Sequence, residues 1–134
     1  MSCKSAIYTA MTAPTAVAVG GTIPLGTVIR RFGCNCQLSG NGITVDGPGY
    51  YEVNASVTLL ATAAGDVTVT MYKDGVPVPG ATATETLSAI GNSANLNIAS
   101  MVRLQCCDSA STLTFVLTGT ANTVSNVGLV VKKV

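Results

Sequence analysis

Asn41-Gly42-Ile43-Thr44-Val45-Asp46-Gly47-Pro48-Gly49-Tyr50-Tyr51-Glu52-Val53-Asn54-Ala55-Ser56-Val57 holds two apolar runs on either side of one turn. In the second run Tyr51, Val53, Ala55, Val57 and then Leu59 alternate with Tyr50, Glu52, Asn54, Ser56 and Thr58. A period of two sends one set to a core face and the other to a polar face, the pattern of a half-buried strand. Asp46-Gly47-Pro48-Gly49 supplies residues that tolerate the positive φ of a tight turn. The same vocabulary extends outward. Leu113, Phe115 and Leu117 alternate with Thr112, Thr114, Val116 and Thr118, while Gly20-Gly21, Ser39-Gly40-Asn41-Gly42 and Asp74-Gly75 punctuate other runs. Runs at 5–11, 15–19, 22–32, 42–46, 49–62, 66–73, 81–88, 95–105, 111–119 and 124–133 predict ten strands and no helix, hence two packed sheets in an all-β sandwich. Val76-Pro77-Val78-Pro79-Gly80 is confined to an edge or a loop, because each proline removes a ladder donor. No fixed-period repeat or linker composition interrupts the chain, so residues 1–134 are expected to form one domain, with 1–21 as an N-terminal arm or first strand.

Composition narrows the function. Charged residues make up 10% of the 134 residues, against a usual share of about 25%. The surface must therefore be neutral, or buried against other subunits. Seven Lys and Arg against six Asp and Glu leave a net charge of +1, too little for a nucleic-acid partner held by its phosphates. Mean hydropathy is +0.50, yet no stretch approaches the ~18 to 20 apolar residues of a spanning helix, so no membrane insertion is expected. Hydroxyl residues break up the apolar run of Ser5–Met11, which does not resemble a signal peptide, and synthesis in the cytoplasm is expected.

The chain has no His, which removes the usual proton shuttle near neutral pH and the Ser-His-Asp and Cys-His nucleophiles. Of its carboxylates, Asp46, Asp66, Asp74 and Asp108 fall beside turn residues, where Asp bonds its own backbone. Glu52 is the exception: it sits mid-strand opposite the core, where a solvated face is the favoured reading and an ion pair with Arg103, Arg30 or Arg31, within or between subunits, is the alternative. No phosphate-cradling Gly loop or Ca²⁺ loop is present. The expectation is a protein without catalysis and without a cofactor. Cys34-Asn35-Cys36 and Cys106-Cys107 raise the question of a four-thiolate zinc site. On a strand Cys106 and Cys107 would point to opposite faces, and the spacing matches none of the common C-x2-C knuckles. Buried thiols are the favoured reading, with a disulfide formed after release from the cell and a metal as the alternatives.

Asn126-Val127-Gly128-Leu129-Val130-Val131 is apolar on both faces. A sandwich covers one face only. The second face, around Leu129 or Val130, needs an oligomer interface or a loop of the same chain over it.

The stretch 41–57 resembles the "apolar residue, turn, Gly-x-Tyr, alternating strand" signature of the tumour-necrosis-factor and complement-head jelly roll. It is more similar still to the bacterial branch that forms the heads of collagen-like spore-surface glycoproteins. Val67-Thr68-Val69-Thr70-Met71-Tyr72-Lys73-Asp74-Gly75-Val76 is similar to that family's following strand and hairpin. Val102-Arg103-Leu104-Gln105-Cys106-Cys107-Asp108-Ser109, before a Thr-rich strand, resembles stand-alone proteins encoded in prophages of gut Firmicutes. The resemblance covers about residues 22–134 and implies a ten-stranded jelly roll assembled as a homotrimer about its inner sheet. Tyr50, Glu52, Met101, Leu129 and Val130 are the residues expected at that interface. The function it implies is a phage structural protein of the virion surface, a capsid decoration or fibre head with capsid or tail proteins as partners. The alternative is a module that binds a host-surface glycan or protein through turns at one end.

Overall fold

Two antiparallel sheets face each other across an aliphatic core, and no helix occurs among the described residues, which are 5–33, 35–105, 110–120 and 122–134 of a computed structural model. The strands are β1 (Ala6–Met11), β2 (Thr15–Val17), β3 (Thr27–Phe32), β4 (Cys36–Ser39), β5 (Gly42–Val45), β6 (Gly49–Ala61), β7 (Gly65–Lys73), β8 (Val76–Leu87), β9 (Ser93–Leu104), β10 (Ser111–Gly119) and β11 (Asn122–Lys133). The first sheet runs β3-β1-β11-β6-β9, with β2 beside the start of β11; the second runs β4-β5-β10-β7-β8. The sheets follow from the alternation. Tyr51, Val53, Val57 and Leu59 of β6, Val67, Val69 and Met71 of β7, Leu113, Phe115 and Leu117 of β10, and Val127, Leu129 and Val131 of β11 are all buried between them. Tyr51 adds a tether: its O–H lies 2.7 Å from the Asp46 carbonyl and 2.8 Å from that of Gly47, which pins the turn before β6 from below.

Two expectations need correction. Among the described residues there are eleven strands, not ten, because Cys36–Ser39 pairs with β5 across the Ser39–Gly42 hairpin. The run 22–32 is not one strand. Thr22 bridges to Val116 of the second sheet, the Ile23 N–H bonds the Phe115 carbonyl at 2.8 Å, and only Thr27–Phe32 joins the first sheet beside β1. Ile23 and Leu25 are fully buried where the chain crosses. Val76–Pro79 lies at an edge, as expected, in the outer strand of its sheet, where a proline costs no ladder bond on the solvent side. Ala6–Met11 lies inside the first sheet, between β3 and β11.

The β7–β8 hairpin turns on Asp74 (φ 52°) and Gly75 (φ 81°), the paired positive φ of a type I′ turn. A Cβ at Gly75 would meet nothing within 4 Å, so only the backbone conformation resists substitution. Gly75→Val is expected to cost about 1 kcal/mol or more, read as a lower denaturation midpoint. An unchanged midpoint would mean that the turn relaxes to another type.

Candidate functional site: the open face and free edge of the first sheet

The alternation that turns Val53 and Leu129 inward turns their neighbours outward, and the register lines those neighbours up. Arg30, Tyr8, Val130, Asn54 and Ala99 stand side by side across five strands. Phe32, Ala6, Lys132, Glu52 and Met101 form the next row, and Tyr50 pairs with Arg103 beyond it. This half of the face is amphipathic: Tyr8 is 40% exposed, Tyr50 48%, Met101 52% and Phe32 60%. The Arg103 guanidinium lies 5.6 Å from the centroid of the Tyr50 ring, within cation–π range. Lys132 Nζ is 3.8 Å from Glu52 Oε2, and Asn54 Nδ2 donates to Glu52 Oε1 at 3.1 Å.

The other half is an amide and hydroxyl network. Asn95 Nδ2 donates to Ser56 Oγ at 3.2 Å and to Thr58 Oγ1 at 3.0 Å, and Asn97 Nδ2 donates to Asn95 Oδ1 at 3.0 Å. Beside it a shallow hollow of about 340 Å³ opens over Gly128, bordered by Asn54, Ser56, Asn97, Ala99 and Val130.

Tyr50, Glu52, Met101 and Val130 therefore share one face. Leu129 does not. It is fully buried between the sheets, because its neighbours of the same parity, Val127 and Val131, face the core. Nor is β11 apolar on both sides: its outward residues are Asn126, Gly128, Val130 and Lys132, of which Val130 alone is a large apolar group. The ion-pair partner of Glu52 is Lys132, directly opposite in register, instead of Arg30, Arg31 or Arg103. Arg31 Nε donates to the Cys36 carbonyl at 2.7 Å. Tyr8 and Phe32 belong to the face but were not expected there, since only the pairing of β1 with β3 and β11 brings them to it.

The carboxylates are spread over different surfaces. Glu52 is on this face, Asp66 Oδ1 accepts from Thr86 on the opposite one at 2.6 Å, and Asp74 Oδ1 accepts the Thr112 N–H at 2.9 Å in the hairpin. Cys36 is a fully buried thiol whose pKa burial pushes up, against the smaller pulls of its hydrogen bond to Ser5 and of Arg31. Cys34, Cys106, Cys107 and Asp108 lie outside the described residues.

The sheet edges differ in protection. An unpaired strand edge is a template for another chain, and proteins blunt it with charge, proline, bulges or brevity. β3 carries Arg30 and Arg31 and a register shift against β1 between Tyr8 and Thr9. β4 has four residues. β8 has Pro77 and Pro79 and a register shift opposite Thr70–Tyr72. β9 has none of these devices. Its 12 residues, SANLNIASMVRL, pair with β6 without a shift from Leu104 to Ser93 and carry one charge, Arg103, near the end.

The outer face of the second sheet is unlike the first. Thr68 and Thr84 hydroxyls meet at 2.9 Å and Thr70 and Thr82 at 2.7 Å, beside Thr44, Thr112, Thr114 and Thr118.

The fold is shared with solved structures that span nearly the whole chain. Murine APRIL matches with a TM-score of 0.71 at 14% identity, over 98% of this chain and 100% of that one. The globular domain of zebrafish complement 1qA matches with a TM-score of 0.65 at 9% identity, over 96% and 94% of the two chains. The PRD1 vertex protein P5 matches with a TM-score of 0.59 at 14% identity, over 97% and 96%. The architecture is thus the jelly roll of tumour-necrosis-factor-like and complement heads. No protein-family model matches the sequence, and no curated protein matches it.

Proposed function

We propose that the chain is a non-enzymatic head that assembles as a homotrimer and serves as a structural protein of a virion surface, of the capsid-decoration or fibre-head type. The observation that carries this is the pairing of an amphipathic sheet face with an unprotected sheet edge beside it. Tyr8, Tyr50, Met101 and Val130 offer the face, and β9 offers the edge. Setting the edge of one copy on the face of the next covers both at once. Such a contact is heterologous, and a heterologous contact repeated by a closing rotation makes a ring. The number three comes from the jelly-roll resemblance. A similar fold in the PRD1 vertex protein P5 supports the virion setting. The resemblance to stand-alone prophage products of gut Firmicutes, and to the spore-surface heads, belongs to the same reading, with synthesis in the bacterial cytoplasm before incorporation.

Sedimentation of the purified chain tests the first half: three-chain mass is expected, and single-chain mass overturns it. Immunogold labelling of particles released from producing cells tests the second half. Label on particles is expected, and a trimer found only in the particle-free supernatant overturns the virion role.

A further inference from the structure

We propose that Lys132, Glu52 and Asn54 form an autocatalytic cross-linking site, at which an isopeptide bond joins the Lys132 amine to the side-chain carbonyl carbon of Asn54. In register Lys132 stands opposite Glu52, and Asn54 follows two positions along β6 on the same face. The Glu52 carboxylate lies between the other two groups: its Oε2 is 3.8 Å from Lys132 Nζ, and its Oε1 accepts from Asn54 Nδ2 at 3.1 Å. One oxygen thus faces the nucleophile and the other faces the leaving nitrogen. The frame around the three is apolar. Ala6 and Met101 flank Lys132 and Glu52 in their row, and Val130 and Ala99 flank Asn54 in the next.

The reaction consumes only groups already in place. Glu52 takes one proton from the Lys132 ammonium, and the freed amine attacks Asn54 Cγ. A second proton passes from the attacking nitrogen to Nδ2 through the same carboxyl group, the Cγ–Nδ2 bond breaks, and ammonia leaves with the first proton as an ammonium ion. One ammonium and one primary amide thus become one isopeptide and one ammonium. In a single chain the Lys132 and Glu52 side chains are 53% and 38% exposed, and water holds them as an ion pair. The inference rests on the proposed assembly, in which the edge of a neighbouring copy covers this face. Out of water the charged pair gives way to the neutral amine and carboxylic acid, the forms that attack and that protonate. The product ties the last strand, β11, to β6 across the middle of the first sheet.

Intact-mass spectrometry of the purified chain, with sedimentation of the same sample, is the test. The chain is expected to be lighter than its sequence by about 17 Da, one ammonia, and a protease digest is expected to hold the peptides of Asn54 and Lys132 joined. Glu52→Gln and Lys132→Arg are each expected to restore the full covalent mass, with circular dichroism showing the strands retained. Three-chain mass in sedimentation with no ammonia lost overturns the cross-link and leaves the assembly standing. A cross-linked species of single-chain mass upholds the bond and overturns the assembly. A single chain of full covalent mass overturns both. Loss of ammonia that persists in Lys132→Arg also overturns the cross-link, since Asn54 would then have closed on its own main chain.

Discussion

Val130→Asp is expected to convert a species with the mass of three chains into smaller ones that remain folded. Val130 stands at the middle of the open face, flanked in register by Tyr8 and Asn54 and next to the hollow over Gly128. In a single chain its side chain is partly in water, so an aspartate there costs only the modest strand preference for valine. In the assembly three carboxylates would be taken out of water together. The nearest cation on β11, Lys132, is already paired with Glu52 at 3.8 Å. The penalty is several kcal/mol per trimer, on the order of what breaking or stranding buried charges costs elsewhere. Thr84→Asp places the same charge on the exposed face of the other sheet and is expected to leave the mass unchanged. Light scattering at micromolar concentration, with circular dichroism to show retained strands, reads both. A trimeric Val130→Asp chain would move the covered surface away from this face.

The second large effect is expected at Gly26. Its φ is +79°, and a Cβ there would fall on the carbonyl of Ala10 and the Cα of Met11, main-chain atoms of β1 that cannot swing aside. Gly26→Ala should therefore lose more than about 3 kcal/mol, the sum of a left-handed conformation and a backbone displacement. Gly40→Ala isolates the first part, since Gly40 has φ +59° with nothing within 4 Å of its added Cβ, and about 1 kcal/mol is expected. Urea denaturation of the two variants gives the difference directly. Equal losses would show that β1 yields to the extra atom and that the close approach is not structural.

Gly26 also shows where the sequence was hard to read. Ile23, Leu25, Val28 and Ile29 look like one strand, and the glycine within it was the sign of a close approach. What breaks the run is a crossing from one sheet to the other, set by partners more than eighty residues away at Phe115 and Val116. β6 and β10 were legible because their period of two is unambiguous and their polar partners are Thr, Asn and Glu. β11 was less so, because Leu129-Val130-Val131 is apolar at both parities. A signal was present all the same: Asn126 and Lys132 share the parity of Val130 and mark its side as the outer one. β4 escaped notice because Cys36-Gln37-Leu38-Ser39 holds no β-branched or aromatic residue to mark it as a strand. Of the face itself, Tyr50, Glu52 and Met101 were found from the sequence, whereas Tyr8 and Phe32 depend on long-range pairing that no local pattern encodes.

The threonine face of the second sheet has a consequence for the medium in which the molecule can work. Among the described residues its hydroxyls outnumber its ionic side chains, with Asp66 at one corner bonded to Thr86; Lys73 and Arg31 turn to carbonyls elsewhere. The chain lacks the one side chain that ordinarily changes charge near neutrality, since it has no His. A surface of hydroxyls and methyls has almost no field for dissolved ions to screen. Its wetting and its reluctance to adhere to charged matter should therefore change little between dilute buffer and brine.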